Sequence, residues 1–397
     1  MTGSEPAHWE NRPVLVRLLE VDDGGENDQH NNEDIVNNNE GGNREIDWTA
    51  ILTRLEFHPE EARWVDADSQ ITFLHLLLCG NNHPTLEVIY KTIDILPETL
   101  DMAESYGALP LHYACDLNFN NGVEIVHAIL NLHPEAAKCK TVNDHFPFHW
   151  AMDWVANGSR SEELSKLMQL LSPNRIAIVA HLLDAYPAAA LEEDHFISMD
   201  CWEILCHAWT VEINEDSAEY GRLCELTELV LRARFIARKQ LLEPDIADAT
   251  LTEAERYVSY SPLPAICAED HTPLNIPRLH RYMLRTHSRD ASRHDSNGRL
   301  CLHVALEHNH LWNRTSSSTS ASAIEGLYNV ASKSIATRDL KTHLYPFMCA
   351  AVVSDCSSTV FELLRAWPYA ARGLAKSNLV GSDDGMNGVL HIESLKI

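Results

Sequence analysis

Histidine and cysteine are the side chains of this chain best suited to chemistry. There are 22 histidines and 10 cysteines among 397 residues. Imidazole and thiolate bind transition metals, and a paired Cys and His can act as nucleophile and base. Spacing decides whether either is on offer. The cysteines are Cys79, Cys115, Cys139, Cys201, Cys206, Cys224, Cys267, Cys301, Cys349 and Cys356, and no two form a C-x-x-C pair. A zinc ribbon would show tight pairs, and a disulfide scaffold would be shorter and denser in Cys. Most of these residues have apolar neighbours, so they read as reduced, small core residues. His308 and His310 could share a metal, but no Cys or carboxylate partner stands at ligand spacing. A Cys–His catalytic pair would need a convergence in space that no spacing indicates. The P-loop, dinucleotide-binding, zinc-protease and nucleophile-elbow patterns are all absent.

Most of the histidines have a different explanation, which lies in the elements that carry them. Leu109-Pro110-Leu111-His112-Tyr113-Ala114 recurs as Phe146-Pro147-Phe148-His149-Trp150-Ala151, and again as Leu300-Cys301-Leu302-His303-Val304-Ala305. Weaker copies are Thr72-Phe73-Leu74-His75 and Ile204-Leu205-Cys206-His207-Ala208. Ser261-Pro262-Leu263-Pro264 and Tyr345-Pro346-Phe347-Met348 lose the His. So His75, His112, His149, His207 and His303 occupy one recurring position. Cys115 and Cys267 stand three residues after that position.

A second pattern alternates with the first. An apolar stripe at helical spacing ends in Pro and then alanines, as in Val123 to Leu130 followed by His133-Pro134-Glu135-Ala136-Ala137. Trp48, Ile51, Leu52 and Leu55 lie on one helix face, as do Val123, Val126, Ile129 and Leu130. The proline lacks an amide hydrogen and restrains the residue before it, so each helix should stop there. His58, His133 and His287 precede or occupy helix-stop positions, the first two directly before the proline. The unit reads as turn, short helix, tight connection, longer helix and proline stop. One pair cannot bury its apolar face alone, but stacked neighbours can.

This spacing predicts short helices near 71–79, 110–117, 147–155, 202–209, 262–268, 300–308 and 345–353. Longer partners are expected near 48–57, 85–96, 122–132, 174–185, 219–239, 276–286, 321–331 and 358–366. The fold class is therefore all-α, a helical-pair repeat solenoid of about seven pairs after one leading helix. Asn157 to Pro173, Leu241 to Tyr260 and the Ser/Thr run Thr315 to Ser322 read as insertions or loops.

Here the residues resemble a family. Leu-Pro-Leu-His-Tyr-Ala-Cys at 109–115 is similar to the start of an ankyrin repeat, and Asp295 to Leu306 matches it best, with an Asp-x-x-Gly turn and a Leu-His-x-Ala helix start in register. The resemblance covers residues 46–375, strongly in three units. The usual Thr before Pro-Leu-His is Leu109, Phe146 or Leu300, the usual Gly at the end of the second helix is replaced by Pro-x-Ala-Ala, and the period is 37 or more. The resemblance implies that each recurring His staples backbone groups of the adjacent turn. It also implies a concave face of turn tips and short helices that binds a protein. Carried onto matching positions, that face comprises Ser105, Tyr106, Asp116 and Leu117, then Asn143, His145, Asp153 and Trp154. In the best-matching unit it comprises Ser296, Asn297, Arg299, Glu307 and His308. A HEAT-type array is the alternative, but it leaves the recurring Pro-Leu-His unexplained. Trp150, Trp154 and Trp209, on or beside short helices, would be binding hot spots if exposed there and core residues if not.

Charge bounds the partner. There are 31 Lys and Arg against 58 Asp and Glu, a net charge of −27. Such a chain is not expected to grip nucleic acid or anionic lipid. Residues 1–45 are acidic and Asn-rich, and apart from a capping helix at 13–20 they are expected to be disordered. The segment reads as a solubilising insert, or else as a lure for a basic partner or an autoinhibitory flap. Residues 376–397 read as a flexible tail. Arg232, Arg234, Arg238 and Lys239 read as a solvated helix face, or else a dock for an acidic peptide. No stretch of 18 apolar residues exists, and Met1 to Arg12 has no apolar core of a secretory signal. The reading is a non-enzymatic, monomeric scaffold with a protein partner and no cofactor, in the cytoplasm or nucleus. Recognition of a basic partner by the acidic tail is the first alternative, and a solenoid-built metal protein or enzyme the second.

Overall fold

The computed structural model describes residues 12–19, 46–79, 82–116, 121–152, 160–194, 199–242, 260–269, 276–295, 297–308, 323–353 and 357–370. The chain is mostly helical and divides into two compact units, Met1–Leu242 and Glu243–Ile397. The division falls after Leu242, and residues 243–259, expected from the sequence to be a long connection, lie outside the described residues. No helix among the described residues is long and apolar enough to cross a membrane.

In the first unit, α1 (Val14–Arg17) packs on α2 (Trp48–Phe57). Short helices α3 (Phe73–Leu78), α5 (Pro110–Asp116) and α7 (Pro147–Ala151) then alternate with α4 (Leu86–Ile95), α6 (Gly122–Leu132) and α9 (Pro173–Ala185). The short helices pack side by side in chain order, and so do α2, α4, α6 and α9. The unit closes with α10 (Cys201–Thr210) and the long α11 (Ala218–Leu242), which packs on α9. A two-stranded antiparallel ladder, β1 (Glu193–Asp194) with β2 (Met199–Asp200), leads into α10. In the second unit α12 (Pro262–Cys267), α14 (Cys301–Glu307) and α16 (Pro346–Val353) form the short row. Their longer partners are α13 (Pro277–Thr286), α15 (Ala323–Val330) and α17 (Ser357–Ala366).

The proline stop works as its chemistry dictates, with one addition. Residues His58, Leu96, His133 and Tyr186 end α2, α4, α6 and α9, with φ between −135° and −145°. The following proline then opens a 3-10 turn, at Pro59–Arg63, Pro97–Leu100, Pro134–Lys138 and Pro187–Leu191. Its missing N–H costs nothing at a first helical position. The alanines of these turns are buried: Ala62, Ala136, Ala137, Ala189 and Ala190 are at most 3% exposed. They let the turn lie close against the neighbouring helices.

Residues 160–170, read above as part of an insertion, form helix α8 (Arg160–Leu170). Leu167, Leu170 and Leu171 bury its inner side. Serines, Lys166 and two glutamates break up the stripe, which is why periodicity alone passes over it.

The turns before the short helices share one device. The residue two before each N-cap has positive φ: Gln70 (58°), Gly107 (82°), Asp144 (62°), Gly298 (74°) and His343 (59°). A carboxylate or hydroxyl at the head of each turn binds its N–H groups. Glu104 takes Tyr106 N and Ala108 N, Thr141 takes His145 N, Asp295 takes Asn297 N and Arg299 N, and Asp339 takes Lys341 N. Neighbouring turns of the first unit are tied by their backbones, Ser105 N to Ser69 O and Val142 N to Tyr106 O, both 2.8 Å. Gly107 meets that tie directly, since a Cβ there would lie 3.2 Å from Val142 N. Gly107→Ala is therefore expected to cost about 1–2 kcal/mol. Asp144→Gly, at the same position of the next turn, should change stability by less than about 1 kcal/mol, because Asp tolerates the left-handed region. Urea midpoints of the two variants check this.

Candidate interaction surface

The recurring histidines hold the short helices to the turns. Each N-cap N–H donates to the Nδ1 of the His three residues on: Thr72 to His75 (3.2 Å), Leu109 to His112 (3.0 Å), Phe146 to His149 (3.3 Å) and Leu300 to His303 (3.3 Å). With Nδ1 accepting, the proton sits on Nε2, which donates onward to a carbonyl. His75 reaches Ala108 O (3.1 Å), His112 reaches His145 O (3.2 Å) and His303 reaches Thr337 O (3.0 Å). Each of these three rings thus ties its own helix start to the next turn, and both nitrogens are engaged. Thr72 retains the threonine hydroxyl that the later copies lack, and its Oγ1 lies 2.8 Å from His75 Nδ1. Burial pushes the His75 and His112 pKa down to about 4, against the opposing carbonyl hydrogen bond, and lowers that of His303 for the same reason.

His207 is not a fifth staple. The corresponding position, three after the N-cap Asp200, is Glu203, whose carboxylate accepts Asp200 N (3.0 Å) while Asp200 Oδ1 accepts Glu203 N (2.8 Å). This is a carboxylate capping box. His207 lies one turn later, with Nε2 3.7 Å from Glu163 Oε1. The Leu-Cys-His string around it matched the motif in the wrong register.

Buried arginines brace the short row from behind. Arg175, at the start of α9 and 4% exposed, donates to Cys115 O, Trp150 O (3.3 Å) and Asp116 O (3.4 Å). It thereby satisfies carbonyls at the C-terminal ends of α5 and α7, where a cation also complements the helix dipole. Arg234 corrects the reading of a solvated basic face on α11. It is 4% exposed, and its Nη1 donates to Asp200 Oδ2 and Ala190 O, both at 2.7 Å. Trp209 is likewise a core residue, fully buried, with Nε1 donating to Thr227 Oγ1 at 2.9 Å.

On the open side, the residue after each His forms a row: Leu76, Tyr113 and Trp150, each half-buried. The Tyr113 and Trp150 rings are 5.5 Å apart and tilted by 50°. Each also meets the preceding staple edge-on, Tyr113 against His75 at 5.2 Å and Trp150 against His112 at 5.6 Å. Burial, with the nearby Glu104 carboxylate and Cys79, pushes the Tyr113 hydroxyl up to about 12. One turn further along the short helices, Cys79 and Asp116 are exposed. At the turn tips Tyr106 is 67% exposed and Val142 66%.

Of the residues carried over by resemblance, Ser105, Tyr106, Asp116 and Asn143 are exposed in the first unit, and His145 is half-buried beside the His149 ring. In the second unit Asn297 is exposed. Arg299 pairs there with both Asp295 and Glu307, so its charge is met within the chain, and His308 is half-buried at the end of α14. Leu117, Asp153, Trp154 and Ser296 lie outside the described residues, as do most of the acidic segment and the tail after Ala370. Tyr113 and Val142 escaped the sequence reading. Tyr113 was findable, because it holds the place in its motif that Trp150 holds in the next. Among the described residues no group of three or more His, Cys, Asp or Glu side chains is arranged to hold a metal. No protein-family model matches the sequence, and comparison with curated proteins finds no significant match.

Proposed function

We propose that the chain is a non-enzymatic interaction scaffold, an ankyrin-like array of helical pairs that takes a protein partner on the inner face of its first unit. The observation that carries this reading is the half-exposed row Leu76–Tyr113–Trp150, bordered by the exposed Tyr106. Rigid aromatic side chains lose little entropy on binding and dominate protein interfaces. Their backing is fixed by histidine staples on one side and Arg175 on the other, so the surface is preorganised. The ankyrin-like part of the reading rests on the recurring turn, staple and helix pair at closely similar spacing.

Quantitative affinity purification from the cells that make the protein tests this. Tyr113→Leu combined with Trp150→Leu should weaken partner capture roughly thirtyfold, the effect of losing a hot spot of about 2 kcal/mol. Helicity and melting temperature, recorded in parallel, should stay close to wild type. Undiminished capture by a folded variant would remove this face from consideration. The acidic residues of 21–45 favour the second reading, recognition through that segment, and their replacement by amides is the matching control.

A further inference from the structure

Charge on the inner face of the first unit is one-sided. Its three turns and short helices, residues 66–79, 101–116 and 139–152, carry six carboxylates and one cation, Lys140. Lys140 is committed elsewhere, with Nζ 3.2 Å from Glu192 Oε2 and 4.7 Å over the Phe146 ring. Asp68, Asp101, Asp116 and Asp144 are exposed; Asp101 pairs with His133 (2.7 Å) and Asp116 with Arg175 (3.9 Å), while Asp68 and Asp144 lie in the turns. The second unit differs on both counts. Its corresponding stretches, 295–308 and 339–353, set two cations, Arg299 and Lys341, against three carboxylates, Asp295, Glu307 and Asp339. At the positions of Tyr113 and Trp150 it has the buried Val304 and Cys349. Aromatic rings in an acidic field, here with Glu104 acting on Tyr113, favour a cation over their faces, and the same field repels nucleic acid and anionic lipid.

We propose that this face binds a basic segment of the partner protein, with an arginine or lysine side chain laid on the Tyr113 and Trp150 rings and flanking positive charges met by Asp68 and Asp144. The inference rests on the reading of this face as the partner-binding one and adds the chemistry of the partner.

The test uses the full chain and a short fluorescein-labelled peptide of alternating arginine and serine, with glutamate replacing arginine in the control. The arginine peptide should bind and the glutamate peptide should not. Tyr113→Leu with Trp150→Leu should weaken binding roughly tenfold. Asp68→Asn with Asp144→Asn, two exposed positions, should weaken it comparably, and the variant should lose less binding on added salt than wild type does. Both effects should persist when the acids from Asp22 to Glu40 are replaced by amides. Arginine-peptide binding that ignores the face variants and vanishes with the amide replacements would overturn the proposal in favour of the acidic segment. No arginine-peptide binding, while the ring variant still loses its cellular partner, would overturn the basic chemistry alone and leave the interaction face standing.

Discussion

Lowering the pH from about 7.5 to about 4.5 is expected to remove several kcal/mol of stability, beginning near pH 6.5. The cause is the neutral state of the staples. His75 and His112 are fully buried and have folded pKa values of about 4. An unfolded histidine titrates near 6.5, so below that value the unfolded chain binds protons that the folded chain refuses. Stability contributed by each ring is complete above about pH 6.5 and is lost as the pH falls toward about 4, by up to about 3 kcal/mol per ring. His303, lowered in the same direction, adds to the effect in the second unit. The carboxylates that are held low, such as Glu61, Asp66 and Asp339, lose their contribution only at still lower pH. Two rings together approach the whole stability of an ordinary domain. Thermal melts across this range should show a steady fall, and His112→Gln should flatten the slope even if it melts lower at neutral pH. Melting that stays constant between about pH 7.5 and about pH 5.5 would contradict buried neutral staples.

Arg234→Met is expected to cost about 3–5 kcal/mol, the penalty for leaving one member of a buried ion pair alone. Asp200 is 6% exposed, caps α10 through Glu203 N, and has Arg234 at 2.7 Å. Removing the guanidinium also strands Ala190 O. Adding Asp200→Asn should recover part of the loss, since an amide keeps the cap and leaves no bare charge. Arg175→Met makes the useful comparison. It strands three backbone carbonyls but no buried carboxylate, because Asp116 has 64% of its side chain exposed and returns to water. Its cost should therefore be smaller, on the order of 2–3 kcal/mol. Urea unfolding of the three variants checks the ranking, and an Arg234→Met loss below about 1 kcal/mol would refute the buried-pair account.

The helix pairs of the first unit were legible because the long helices α2, α4, α6 and α9 carry two independent signals, a 3.6-residue apolar stripe and a proline just past the end. Long helices such as Gly122–Leu132 and Trp48–Phe57 fall where those signals place them. Helix α8 was not legible, because its stripe is diluted by serines and charges and its burial comes from the tertiary contacts of Leu167, Leu170 and Leu171. The staples were legible at His75, His112, His149 and His303, where Leu or Phe precedes the His in register. The fifth failed because Glu203 does the same capping work with a carboxylate, and a motif written around histidine cannot see it. Arg234 shows the limit of charge patterning: three arginines and a lysine on one helix look solvated until Asp200, thirty-four residues away in sequence, is brought against one of them. The aromatic row was half legible. Trp150 stood out by residue type and Tyr113 holds the equivalent place in its motif, whereas their pairing shows only when the two short helices lie side by side and the rings meet at 5.5 Å.

Site-specific photocrosslinking in the cells that make the protein tests the inner-face claim most directly. A photoreactive phenylalanine analogue at Tyr113, at Tyr106 and, on the long helix α4, at Tyr90 samples the short-helix and the long-helix rows, Tyr90 being 47% exposed and Tyr106 67%. The account predicts one covalent adduct of the same partner from positions 113 and 106, and none from position 90. An adduct from position 90 with none from 113 or 106 would place the partner on the long-helix row and contradict it.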